Sequence, residues 1–237
     1  MSISANTLIS DIRNISSSGS NPIEFKIEES QILHWVNQTR ATLISQAIQK
    51  SQDLSDIWIQ KISCLELEKT ELGKCWDSED EECSDGNGCF ILRSVEELPD
   101  TIEIFGDNMI IRVTTLSGTV ISKSDQFSEV YAKYNKYTSN KPVWWIENKR
   151  LYISGQTFIK KVNVYGIFDQ PSDLADFKNC DDQSCWDYNS NYPCSLKMAS
   201  MITDIVVRTK VYPYLQLPSD NKNDADNSPE QILPKKI

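Results

Sequence analysis

Histidine is nearly missing from this chain of 237 residues: one, His34, stands beside 34 acidic and 24 basic residues. A single imidazole supplies one ligand or one base, so histidine-built metal sites are excluded, and catalytic dyads have little to draw on. Glycine is scarce too, at eight residues. No phosphate-cradling glycine loop occurs, and neither HExxH nor GxSxG is present. Carboxylates abound, but the run Glu79 to Glu82 is a solvated stretch of like charge, whereas acid/base work needs two carboxyls in different environments. No catalytic residue, cofactor or activity is expected.

Long apolar runs are also lacking, and none approaches the ~20 residues that cross a bilayer. Met1 to Ser10 has no basic n-region and no apolar h-region, so the expectation is a product made in the cytoplasm with no membrane partner. Nor is there a stripe of lysine and arginine to displace counterions from nucleic acid, which argues against sequence-specific DNA binding. The net charge is −10, and the segments Glu66 to Asp85 and Asp169 to Asp187 hold 15 of the 34 acidic residues. Such a surface suits DNA that must slide past without sticking.

What is present begins with seven cysteines. Cys75, Cys83 and Cys89 lie in or just after the first acidic segment, Cys180, Cys185 and Cys194 in or just after the second, and Cys64 in a strand. Both segments carry the tripeptide Cys-Trp-Asp, at Cys75 and at Cys185. Three readings stand side by side. Zinc would use Cys180 and Cys185, the pair with acceptable ligand spacing. Disulfides between the loops would form once a particle leaves its reducing cell, and an odd count leaves one thiol over. Free thiols would pack as small hydrophobes beneath Trp76 and Trp186. Neither loop has the spacing of a calcium loop.

Periodicity then divides the chain. Leu8, Ile12 and Ile15 make one face of a short helix with Ser4 as its cap, and the serine-rich stretch to Pro22 interrupts it. Residues 29–50 predict the longest helix, with Ile32, Val36, Leu43 and Ala47 inward and Gln31, Asn37, Gln38, Arg40 and Gln46 wet. From Ile57 the period shortens to two, and six to eight short strands follow, among them a hairpin turning at Glu147-Asn148-Lys149-Arg150. Met198, Ile202, Ile205 and Thr209 mark the inner face of a returning helix that Pro213 ends. Beyond Gln216 too few apolar residues remain to fold alone.

The expected fold is α+β: a helical bundle of N-terminal and C-terminal helices, an inserted antiparallel β-sandwich or barrel-like domain, and an extended C-terminal tail. The expected parts are an N-terminal helical part at 1–56, the β domain at 57–170, an acidic Cys-rich loop at 171–194, the returning helix at 195–215, and the tail at 216–237. Fully extended, that tail spans on the order of 70 Å, enough to cross a neighbouring subunit.

Several stretches resemble the head-to-tail adaptor, or neck ring, proteins of tailed bacteriophages, most closely those of crAss-like phages. They are the Ser4 to Asn14 helix, Ile32 to Ala41, Leu92 to Pro99, Lys133 to Thr138, the Trp144-Trp145 hairpin, Val164 to Pro171, and Tyr212 to Asp224. The resemblance implies a ring subunit, in twelve copies, in the virion neck between portal and tail. Its partners would be other copies, the portal, further neck or tail rings, and genomic DNA passing through the channel. It also implies that a C-terminal segment docks into the portal, with Leu217, Pro218, Asp220, Asn223 and Asp224 as the candidate contacts. The alternative is a tail component that binds a host glycan or receptor through exposed aromatics. Of Trp144 and Trp145 one should point outward, near Tyr131, Tyr134, Tyr137 and Tyr152.

Overall fold

The computed structural model describes residues 3–17, 27–50, 54–71, 90–104, 106–124, 141–155 and 158–216. The fold is α+β, with helices at both ends and a β-barrel between them. Helix α1 (Ala5–Ser16) starts where the Ser4 side chain accepts the Thr7 amide, and it buries Ala5, Leu8, Ile9 and Ile12. Ile15, expected inward, is exposed. Helix α2 (Glu29–Gln49) packs against α1 and against α3 (Leu196–Val206).

Two expectations about these helices are corrected. Asn37 and Arg40, read as wet, are buried on α2 together with Ile32, Leu33, Val36 and Ile44. The buried face of α2 is wider than its apolar stripe, because the polar groups on it find partners in the rest of the fold. The returning helix does not stop at Pro213 either. It passes through a π-helical turn, Val207–Val211, into α4 (Tyr212–Gln216). The wider turn absorbs the amide that proline lacks and shifts the buried face from Ala199, Ile202 and Val206 to Val207 and Val211, which leaves Thr209 exposed.

After a 3-10 turn at Asp56–Trp58, which takes up the Ile57 expected in a strand, β1 (Gln60–Glu71) opens the barrel. The remaining strands are β2 (Phe90–Ser94), β3 (Glu103–Ile104), β4 (Asp107–Asn108), β5 (Ile110–Thr115), β6 (Val120–Lys123), β7 (Val143–Glu147), β8 (Arg150–Ser154) and β9 (Lys161–Gly166). Seven close in the order β1-β2-β8-β7-β6-β5-β9, while β3 and β4 form a separate two-stranded sheet. The pairs are antiparallel except β6 with β7, which run parallel. The β7–β8 hairpin turns at Asn148 and Lys149 with φ of 48° and 61°, the left-handed pair that a two-residue hairpin requires.

Trp144 and Trp145 are both buried. Trp144 points into the barrel and donates its indole N–H to the Ile121 carbonyl at 3.0 Å. Trp145, on the opposite side of the strand, is 5% exposed and stacks on Tyr152 with ring centroids 5.7 Å apart. One hydrophobic cluster runs from Leu8 and Ile12 of α1 through Val36 of α2 and Ile202 of α3 to Ile62, Val113, Trp144 and Val164 of the barrel.

Candidate functional site

Between β9 and α3 the chain has little regular structure, yet it is bonded to α1, to α2 and to β1. It begins with a 3-10 turn, Pro171–Asp176, whose opening proline needs no amide partner. It continues as a small loop between Lys178 and Ser184, which form an isolated antiparallel bridge. Asn179 folds this loop on itself: its side-chain oxygen accepts the amides of Asp181 and Gln183 at 2.8 and 3.0 Å, and Asp182 takes φ of 59°. Trp186 then inserts into the core and meets Tyr188 edge-on at 4.8 Å.

From Tyr188 onward this strap holds the helices. The Asn6 amide donates to the Tyr188 carbonyl, the Tyr192 amide donates to the Ile3 carbonyl, and Ser4 bridges Asn191. The Tyr192 hydroxyl donates to Asn37 Oδ1 at 2.7 Å, inside the structure. Burial pushes the Tyr192 phenol well above its ordinary range, so it stays a donor. Asn37 Nδ2 is buried with no hydrogen-bond partner.

Arg40 sits one helical turn further on and is fully buried. Its Nε donates to the Pro193 carbonyl at 3.0 Å, Nη1 to the Phe168 carbonyl at 2.9 Å, and Nη2 to the Trp58 carbonyl at 3.3 Å. Three chain segments that approach from different directions are thereby gathered on one rigid fork. Burial pulls Arg40 down from the usual guanidinium range, and Tyr192, Cys194 and Asp169 oppose that pull. Cys194, beside it, is pushed up to about 11 by its own burial and is an inert thiol at neutral pH. No sequence signal singled out Arg40, since one arginine on a helix looks like any solvated one.

The zinc candidates are placed apart in kind. Cys180 is exposed and forms a disulfide with Cys64, their Cα atoms 5.3 Å apart, whereas Cys185 is a half-buried free thiol. Among the described residues no group of three or more His, Cys, Asp or Glu side chains is gathered as a metal ion would need. Cys75, Cys83 and Cys89 lie outside the described residues, as do the candidate contacts Leu217, Pro218, Asp220, Asn223 and Asp224. His34 lies on an open groove of about 600 Å³ beside Gln38, Thr42, Thr101, Glu103 and Asp169, with amides and hydroxyls around it. A second groove of about 730 Å³ runs between α1 and α3.

Among the described residues surface ion pairs join Arg13 with Glu29, Arg93 with Glu68, Lys149 with Asp100, Arg150 with Glu97, Lys161 with Glu66, and Arg208 with Asp204. On the barrel wall, cross-strand neighbours set Arg112 and Lys61 over the Tyr165 ring at 4.2 and 5.7 Å. The barrel end formed by the β5–β6 turn presents Leu116 and Val120 to solvent. No described helix is long and apolar enough to cross a membrane. The arrangement braces and joins.

A protein-family model described as phage tail ring protein 2, of the crAss type, matches residues 7–231. No curated protein matches the chain.

Proposed function

Because the chain belongs to the crAss-type phage tail ring protein 2 family, a family of structural virion components, we propose that it is a subunit of the neck ring that joins portal to tail. Twelve copies surround a channel through which genomic DNA passes. In this reading the helices at 1–56 and 195–215 form the bundle that builds the ring, the β domain at 57–170 projects from it, and the acidic loop at 171–194 braces the two.

The observation that carries the reading is the family match over nearly the whole chain. The physical properties of the chain agree with it. Seven hydrogen bonds within one copy, through Arg40, Tyr192 and Asn6, make a stiff body of the kind a load-bearing ring needs. The net charge of −10 keeps a passing duplex from sticking to the wall. Residues 216–237 serve as the arm that reaches the portal, with Leu217, Pro218, Asp220, Asn223 and Asp224 as its contacts. Further neck or tail rings stack on the faces the portal leaves open. The ring assembles in the host cytoplasm, where portal and tail parts are made.

Electron microscopy of the purified protein, alone and co-expressed with its portal, tests the proposal. Annular particles with a central channel, or an added annulus on the portal, are expected. A protein that stays monomeric at all concentrations and never joins the portal overturns it. Deleting residues from Gln216 onward should abolish portal association, and a truncated protein that still joins refutes the assignment of the arm.

A further inference from the structure

The Cys64–Cys180 disulfide joins the strap covalently to the barrel wall, and both of its ends are shaped to meet there. Cys64 occupies an irregularity in β1, where the register with β9 shifts between Ile62 and Leu65. Its φ of 57° is rare for a residue with a Cβ, and its amide donates to the Asn163 side chain at 3.2 Å instead of to a ladder carbonyl. The opposite end is the Asn179 loop, closed by the two amide bonds to Asn179 Oδ1 and by the Asn179 amide to the Gln183 carbonyl at 2.7 Å. A Cα separation of 5.3 Å lies within the range a disulfide spans.

We propose that this pair is a redox-set brace: oxidised, it ties the strap to the barrel and so holds the barrel in one position relative to the helices, and reduced, it releases that joint. The coupling runs through the strap itself. Cys180 is anchored on β1, and eight to thirteen residues later the same segment holds α1 through Tyr188 and Asn191 and α2 through Tyr192 and Pro193. With the bond open, the Asn179 loop keeps its internal hydrogen bonds, the Ser184 bonds to Ala175 and Trp186, and on the barrel side the attraction of Asp182 for Lys161, which is itself paired with Glu66. The separation of 116 residues makes the cross-link effective, because closing so long a loop removes much of the freedom of the unfolded chain.

The chemistry balances with a low-molecular-weight disulfide as oxidant. Cys180 is exposed and Cys64 buried, so the Cys180 thiolate attacks the small disulfide first, forms a mixed disulfide and expels one small thiolate. The Cys64 thiolate then attacks the Cys180 sulfur, forms the protein disulfide and expels the second small thiolate. The two cysteines lose two protons and two electrons, and the oxidant becomes two thiols. A dithiol reductant reverses both steps. The timing in a particle, open in the reducing host and closed after release, rests on the virion reading above, whereas the brace itself does not.

The test uses the full chain, purified in reductant and then equilibrated with oxidised or reduced glutathione. Peptide mapping without reduction should find Cys64 joined to Cys180 only in the oxidised sample. Reduction should lower Tm by on the order of 10 °C in the wild type and in Cys185→Ser, and leave Cys180→Ser unmoved. Hydrogen exchange should rise on reduction in residues 178–184 and also in the strap up to Pro193. No linked peptide after oxidation, an equal Tm drop in Cys180→Ser, or an exchange increase confined to residues 178–184 would each overturn the proposal. None of these readouts depends on whether a ring forms, so the ring reading stands or falls separately.

Discussion

The Arg40 guanidinium on α2 donates to the Phe168 carbonyl at 2.9 Å, across 128 positions of sequence and with no solvent around either group. That bond is where the last barrel strand is handed to the strap, and two further bonds from the same side chain reach Pro193 and Trp58.

Arg40→Met should therefore be costly, because three carbonyls that have left water lose their donor at once. Each uncompensated group costs roughly 1–3 kcal/mol, and relaxation recovers part, so a loss of about 3–5 kcal/mol is expected in urea unfolding. Arg40→Lys should recover little, since an ammonium cannot reproduce the planar fork. A loss below about 1 kcal/mol for Arg40→Met would show that the three bonds contribute little.

Tyr192 and Asn37 form the adjoining polar pair, and Asn37 Nδ2 already lacks a partner. Tyr192→Phe leaves the Asn37 amide wholly unpaired and should cost about 1–2 kcal/mol. Adding Asn37→Leu should restore some of that loss, because an apolar pair has nothing left to satisfy. Denaturation of the two single variants and the double variant gives the coupling, and strict additivity would count against the pair.

Gly155 ends β8 with φ of 86°, and a Cβ built there would fall 2.5 Å from the Lys141 carbonyl oxygen. Backbone atoms cannot give way as a flexible side chain would. Gly155→Ala should lower stability by about 1–3 kcal/mol and loosen the β7–β8 edge, visible as faster hydrogen exchange at Val143 and Ser154. Gly118 has a similar φ of 90° but nothing within 4 Å, so Gly118→Ala should cost less.

Asp173 is held above the usual carboxylate range, first by burial and then by Asp100, Asp176 and Asp169. A folded pKa above the unfolded one means that the native state binds this proton more tightly. Stability linked to Asp173 is then greatest below the unfolded value of 3.8 and falls as pH rises through the folded value. Asp173→Asn should raise Tm at pH 7, and its advantage should shrink as the solution is acidified toward pH 4. Thermal unfolding across that range checks the sign, and a variant no more stable than wild type at neutral pH contradicts it.

Short-range features were legible in the sequence because they depend on neighbours along the chain. The Ser4 cap, the 3.6-residue stripe of Ile32 and Val36, the two-residue alternation after Ile59 and the Asn148 turn all follow from backbone geometry within a few positions. The same reasoning misread Asn37 and Arg40, because their burial depends on carbonyls and hydroxyls supplied by residues more than a hundred positions away. Pro213 was read as a stop for a like reason: local rules do not foresee a π turn that the packing of Val207 and Val211 sustains.

From residue order alone came the helices at both ends, the β region between them and the resemblance to phage ring proteins. Folding in three dimensions decided that seven strands close into a barrel with one parallel pair, that Trp144 and Trp145 are both covered, that Cys64 meets Cys180, and that Arg40 joins three segments. The division has a physical cause. Periodicity and capping are set by torsions and contacts within a turn or two, whereas closure, burial of polar groups and cysteine pairing depend on which distant segments share the same space.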